Sequence, residues 1–257
     1  MAWRIFKYIQ HLFYRKHRKG HGIHSPYVFE FVNRVVCNGE KTEVPERIRD
    51  IHRELRNSPD MIPDGERKIR SFVRGASVSR KFGALLYRIA KWMEPEMILE
   101  LGTGLGISTL YLASGVEAAH GSGSDPAQVH TIEGNASRAT FSEKLFKRYG
   151  LNAVKVHCGE VDGQLQGMKG EIPGRFLAFV DANHRHEPTV SYVQSLISMA
   201  GEEALIVMDD IYWSGGMNRA WKEIISRPDV RVSIDLFHMG ILLLRKDLHK
   251  THYKIKF

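Results

Sequence analysis

The chain of 257 residues is predicted to be an α/β protein, a doubly wound parallel sheet preceded by a helical extension. From Met97 onward, short apolar runs ("MILELG", "VHTIEG", "AVKVHCG", "RFLAFVDA", "EALIVMDD") alternate with amphipathic segments such as "STLYLASG" and "TVSYVQSLISMAG". The runs are continuously apolar, as strands covered on both faces by crossover helices must be. The last two runs, "VRVSIDLF" and "MGILLLRK", are joined by little more than His238. That leaves no room for a crossover helix, so they form an antiparallel hairpin at the end of the sheet. The third observation is the glycine-rich turn "ILELGTGLGIST" at the end of the first strand.

Before the sheet, residues 1 to about 95 read as helical. Ile5, Phe6, Ile9, Leu12 and Phe13 recur at the spacing of one helix face, with Arg4, Lys7, His11 and Arg15 elsewhere on the wheel. Such a helix packs its apolar face on its own domain; the sharper alternative is a basic amphipathic helix lying on a membrane or on RNA. In "GHGIHSPYVF" the glycines and Ser25-Pro26 break the pattern before a second apolar stretch, Tyr27 to Val36. "NSPDMIPDGE" is the most loop-like segment. The expected division is a helical extension or lid over residues 1–82 and a sheet domain over 83–257.

Length and composition fit one large domain, or one domain with an appendage. No apolar run approaches the ~20 residues of a membrane span. Arg4, Lys7 and His11 interrupt the N-terminal segment too often for a secretory core, so a soluble cytoplasmic protein is expected. Cys37 and Cys158 have neither disulfide-framework nor zinc spacing and read as small buried or half-buried thiols. The formal charge of +8 is concentrated in "RKHRKG" and "RKDLHKTHYKIKF", a balance that suits an anionic partner such as nucleic acid or a membrane surface.

In the glycine turn a buried strand ends in Glu100, and Gly102, Gly104 and Gly106 let the backbone turn tightly before a helix begins near Ser108. A nucleotide-like ligand is expected at this first strand-to-helix turn. The dinucleotide fingerprint would require glycine at 107, where the sequence has Ile107. Glu133 ends the second strand, where a carboxylate accepts both hydroxyls of a ribose. "CGEVD" ends the third, so that Gly159, Glu160 and Asp162 border an adenine.

This Glu-x-Gly-x-Gly-x-Gly turn, the acid at the second strand tip and the terminal hairpin resemble the class I S-adenosylmethionine-dependent methyltransferases, from about residue 83 to the C-terminus. "GALLYRIAKWMEPEMILELGTGLGISTLYLA" is similar to the corresponding stretch of catechol and caffeoyl-CoA O-methyltransferases. "VDANHRHEP" and "LIVMDDIYW" resemble paired segments of the macrocin-type enzymes. "HGIHSPYVF" and "IDLFHMGILLLRK" resemble methyltransferases of Bacteroidetes bacteria.

The resemblance implies a Rossmann-like sheet of seven strands in the order 3-2-1-4-5-7-6, the last one antiparallel. S-adenosylmethionine would then be held by Glu100, Gly102, Thr103, Gly104, Gly106, Ser108, Glu133, Gly159, Glu160 and Asp181, with Ser108 at a helix N-terminus near the cofactor's carboxylate.

Asp181 closes the fourth strand, and Asp209 and Asp210 close the fifth. The tips of neighbouring parallel strands lie side by side, so the three carboxylates are candidate ligands for Mg²⁺. Catechol-type enzymes usually have asparagine where this chain has Asp210, whereas macrocin-type enzymes use an Asp-Asp pair. The alternative is that Asp209 or Asp210 caps the next segment while Asp181 touches the cofactor. His184 stands where catechol-type enzymes carry their catalytic lysine, and is the first candidate for general base, with His186 the second. Both, with Asn183, could instead cap the helix expected near Pro188. Tyr212 and Trp213 either wall the acceptor pocket or simply pack, and His21, His24 and Ser25 read as a lid.

The function implied is O-methylation of a small hydroxylated acceptor, a phenol, catechol or sugar, assisted by Mg²⁺ or by a base. The alternatives are methylation of RNA or protein, and a non-catalytic cofactor-binding regulator. "DANH" lacks the prolines of the turn usual in nucleic-acid amino methyltransferases, which counts against base methylation. A homo-oligomer is compatible with the sequence.

Overall fold

The structure, a computed structural model, describes residues 2–14, 22–37, 44–63, 65–120, 127–168, 170, 172 and 174–257. The basic run "RKHRKG" and His21 lie outside the described residues. The chain resolves into two compact units: Glu40–Met168, and Met1–Gly39 together with Lys169–Phe257.

In the Glu40–Met168 unit, α3 (Glu46–Asn57), α4 (Ile69–Ala76) and α5 (Arg80–Met93) precede β1 (Met97–Leu101). They are followed by α6 (Ile107–His120), β2 (Gln128–Glu133), α7 (Ala136–Arg148), β3 (Val154–Cys158) and α8 (Val161–Gly167). All five residues of β1 are buried, as its unbroken apolarity requires, and β1 pairs parallel with β2, and β2 with β3. Gly83 lets α5 and α6 approach closely: a Cβ there would overlap the Tyr111 ring. Tyr111 in turn reaches into the core, its hydroxyl 2.9 Å from Nδ1 of fully buried His52.

The other unit carries α1 (Ala2–Tyr14) and α2 (Pro26–Phe31), which runs on as one π-helical turn, Val32–Val36. Then come β4 (Phe176–Val180), α9 (His186–Met199), β5 (Ala204–Met208), α10 (Gly215–Ser226), β6 (Val232–Asp235), β7 (Gly240–Leu243) and β8 (Thr251–Lys254). β4 pairs parallel with β5, and β7 is antiparallel to both β5 and β6, which is the expected hairpin. Ser25 caps α2, its Oγ accepting from the Val28 amide at 3.4 Å, a local role beside the expected one in a lid.

The strand order is β3-β2-β1-β4-β5-β7-β6-β8. It contains the expected 3-2-1-4-5-7-6, but the sheet has eight strands rather than seven. β8, parallel to β6, lies in the basic C-terminal run, where only Tyr253 is buried and Thr251, His252 and Lys254 hide the strand signal. Cys37 and Cys158, expected to be buried or half-buried, are both exposed. Cys158 ends β3, an edge strand whose residues are only partly covered.

α1 departs furthest from the periodicity argument. The residues read as its packing face, Ile5, Phe6, Ile9 and Phe13, are exposed, Phe13 at 81%. The inward contacts come from Arg4, Tyr8 and His11, spaced i, i+4, i+7. Tyr8 meets Phe237 edge-on with ring centroids 5.0 Å apart, and buried His11 lies 3.4 Å from Asp235 Oδ1.

Candidate functional site

The turn after β1 is built by glycines and held by a buried polar chain. Gly102, Gly104 and Gly106 have φ of 102°, 56° and 81°, the left-handed region that L side chains avoid. At Gly106 a Cβ would stand 2.7 Å from Phe146 Cζ, and at Gly104 3.3 Å from Phe72 Cε1. Beneath the turn, Glu100 Oε2 accepts hydroxyl bonds from Thr109 (2.5 Å) and Thr131 (2.6 Å). The Thr131 Oγ1 in turn lies 2.6 Å from Thr103 Oγ1. Because the Thr131 proton goes to Glu100, Thr103 must be the donor in that last contact. All four residues are buried. Thr103 thus supports the turn from below, and Glu100 is its anchor.

Glu133 spans the turn from the β2 tip. Its Oε2 accepts from the Gly104 amide at 2.8 Å and its Oε1 from the Asn135 amide at 2.9 Å, which fixes the carboxylate while leaving each oxygen a further lone pair. Ser108 is buried in the first turn of α6. Gly159, φ 146°, follows β3, and exposed Glu160 is the N-cap residue of α8 without a side-chain capping bond.

The acidic rim lies in the other unit, after β4 and β5. His184 Nε2 stands 3.3 Å from Asp181 Oδ1 and 3.8 Å from Asp210 Oδ2. Burial disfavours the imidazolium, but the hydrogen bond and charge of Asp181, with the charge of Asp210, outweigh it and raise the His184 pKa. Asp209 Oδ1 accepts from the Asp210 amide at 2.9 Å, and burial together with Asp181 and Asp210 pushes its carboxyl well above the usual range. Asn183, His184 and Asp210 all have left-handed backbones, with φ of 64°, 48° and 50°. Three such residues at two adjacent strand tips mark stored strain of the kind found at functional sites.

Arg4 of α1 completes the rim. Its Nη2 donates to Asp210 Oδ1 at 3.0 Å, lies 3.2 Å from His238 Nδ1, and its guanidinium sits 5.0 Å from the ring centre of half-exposed Trp213. Arg4 and His238 are not among the site residues expected from the sequence, where Arg4 stands off the apolar face of the N-terminal helix. Its spacing from Tyr8 and His11 along one helix face is the signal that could have found it. His186 is the first residue of α9 and turns to Glu223 on α10, with Nε2 2.8 Å from Oε2. Asn183 donates to the Tyr192 hydroxyl at 3.4 Å, and neither residue caps α9 through its side chain. Tyr212 is buried against Asp235, so of the expected aromatic walls only Trp213 faces outward.

As folded, the rim does not fit a divalent ion. The three carboxylates turn to different groups rather than to one point: Asp181 to the His184 ring, Asp209 to the Asp210 amide, and Asp210 to Arg4. Among the described residues no group of three His, Cys, Asp or Glu side chains is disposed to hold a metal.

Residues 99–211, from the glycine turn through the acid rim, match the family model described as "Methyltransferase domain". The match is a likeness confined to that stretch, less than half of the chain. The chain is also similar to a catechol O-methyltransferase of Mycobacterium tuberculosis, 31% identical over 143 residues, covering 55% of this chain and 60% of the relative. It is likewise similar to a catechol O-methyltransferase of Niastella koreensis, 28% identical over 141 residues, 54% of this chain and 60% of the relative. The chain therefore spans about 60% of the length of these relatives.

The fold is shared by a Podospora anserina methyltransferase solved with S-adenosylhomocysteine, with TM-score 0.63 and 20% identity over 84% of this chain and 96% of that one. A Bacillus cereus O-methyltransferase, also in complex with S-adenosylhomocysteine, superposes with TM-score 0.57 and 20% identity over 79% and 94%. No helix among the described residues is long and apolar enough to cross a membrane.

Proposed function

We propose that this chain is an S-adenosylmethionine-dependent O-methyltransferase acting on a small hydroxylated acceptor. The observation that carries the reading is the glycine turn, whose left-handed residues are pinned by Glu133 to the tip of β2. A carboxylate fixed by two amides is pre-oriented to accept a ribose diol, and the three glycines leave room for a ligand close to the backbone. Glu100, Gly102, Thr103, Gly104, Gly106 and Ser108 form the cofactor cradle in this reading, with Gly159 and Glu160 at its margins.

The cofactor supplies a methyl group on a sulfonium. The protein must align an acceptor oxygen with it and remove the acceptor's proton. A proton on His184 Nε2, directed at Asp181, leaves Nδ1 as the lone-pair nitrogen of the neutral ring. That nitrogen would take the acceptor's proton as the acceptor oxygen is methylated. Asp181 and Asp210 then stabilise the imidazolium. His186, paired with Glu223, plays no part in this scheme.

The test is S-adenosylhomocysteine release with a panel of phenols, catechols, sugars and RNA. Turnover on small hydroxylated acceptors, reduced by His184→Gln at neutral pH, is the expected outcome. Turnover on RNA alone, with affinity falling steeply in salt, would replace the small-acceptor reading. No turnover with any acceptor despite cofactor binding would favour a non-catalytic regulator.

A further inference from the structure

We infer that the acidic rim is closed to divalent metal by its own basic side chains, with the His184 ring and the Arg4 guanidinium occupying the place where an ion would otherwise bind, and that Arg4 of α1 is the residue that closes it. The inference deepens the proposed reading of the rim, but its main readout is metal binding and is independent of any methyl acceptor.

The geometry argues it from both sides of Asp210. One oxygen takes the Arg4 Nη2 at 3.0 Å, and the other faces His184 Nε2 at 3.8 Å, which is itself 3.3 Å from Asp181. His184 Nε2 thus stands between the two carboxylates that an ion would have to bridge. Mg²⁺ demands near-octahedral oxygens at about 2.0–2.1 Å, so it would have to displace the imidazole and pull Asp210 off Arg4. A guanidinium at hydrogen-bond distance from the same carboxylate adds direct repulsion, strongest where water is partly excluded. The Arg4, Asp181, His184 and Asp210 side chains are all at least two-thirds covered.

Arg4 is not a loose surface charge that an ion could brush aside. Three groups fix its guanidinium: Asp210, His238 Nδ1 at 3.2 Å, and the face of Trp213. The helix that presents it is anchored one and two turns further on, by Tyr8 on Phe237 and by His11 near fully buried Asp235. An arginine held by a carboxylate, an imidazole and an aromatic face offers a planar, permanently charged group that a hydrated ion does not reproduce.

The experiment is Mn²⁺ titration of the full chain, following the loss of the free-ion signal in electron paramagnetic resonance. Wild type should show no saturable site up to millimolar Mn²⁺. Arg4→Ala should gain a one-to-one site at least about tenfold tighter, as expected when a neighbouring positive charge is removed. Adding Asp210→Asn to Arg4→Ala should abolish the gained site, and Arg4→Lys should restore the wild-type profile. Should Arg4→Ala fold poorly by circular dichroism, Arg4→Gln, which keeps most of the stem, makes the same comparison. Two results would overturn the inference: submillimolar Mn²⁺ binding by wild type that Asp210→Asn removes, or Arg4→Ala and Arg4→Gln variants that bind no more tightly than wild type. Methyl transfer by wild type should also persist in chelator. Absence of transfer with the expected Mn²⁺ profile would count against the acceptor reading alone.

Discussion

Replacing Thr131 with valine should destabilise the protein by about 3 kcal/mol while leaving its shape nearly unchanged. The hydroxyl of Thr131 does two things inside a dry region: it donates to Glu100 Oε2 at 2.6 Å and accepts from Thr103 Oγ1. Thr131 and Glu100 are fully buried and Thr103 is 2% exposed, so no water can substitute. Losing a donor to a carboxyl group costs roughly 1.5–3 kcal/mol, and stranding the Thr103 hydroxyl about 1–3 kcal/mol more, partly offset by the new apolar methyl. Thr131→Ser keeps the hydroxyl and should cost only about 1 kcal/mol, for the lost methyl. Urea unfolding followed by both fluorescence and circular dichroism measures this, with an unchanged m-value showing that the native state is preserved. A loss below about 1 kcal/mol for valine, or equal losses for valine and serine, would refute the claim that this chain of hydroxyls holds the glycine turn.

Gly106→Ala combines a φ of 81° with a Cβ 2.7 Å from Phe146 Cζ and should cost about 2–4 kcal/mol in urea unfolding, whereas Gly134→Ala, with nothing nearby, should cost little. Burial, chiefly, lowers the pKa values of His52 and His130 from 6.5 to about 4, so both fold as neutral rings. Their stabilisation is present above pH 6.5 and is lost as pH falls towards 4; His52 alone accounts for about 3 kcal/mol, and His52→Gln should flatten unfolding free energy against pH across that window. Tyr212→Phe removes a 2.8 Å donor from fully buried Asp235 and should cost about 2 kcal/mol by thermal or urea unfolding.

Much of the fold was legible because continuous apolarity and glycine punctuation are local signals. β1, β4 and β5 are buried along their whole length, and the tightness of the Leu236–Met239 connection left only a hairpin open. β8 was not legible, because a parallel edge strand needs one buried residue, Tyr253, and leaves its neighbours polar. The packed reading of α1 fails for a related reason, while an apolar face turned off the domain stays open. Periodicity assigns the apolar stripe to the core, yet the packed side is the one whose polar groups find partners: Arg4 at Asp210 and His11 at Asp235. Nothing in a hydrophobic pattern reports where a distant carboxylate will stand. The same limit applies at the rim, where strand-tip logic brought Asp181, Asp209 and Asp210 into one region but could not reveal that each faces a different donor.

The central claim, that the glycine turn is a cofactor cradle, is tested most directly by calorimetric titration of the full chain with S-adenosylmethionine. One-to-one saturable binding is predicted for wild type. Gly104→Val should abolish it, because a branched side chain at φ 56° would crowd Phe72 and displace the amide that orients Glu133. Absence of binding by wild type, or unchanged affinity in Gly104→Val, would contradict the account.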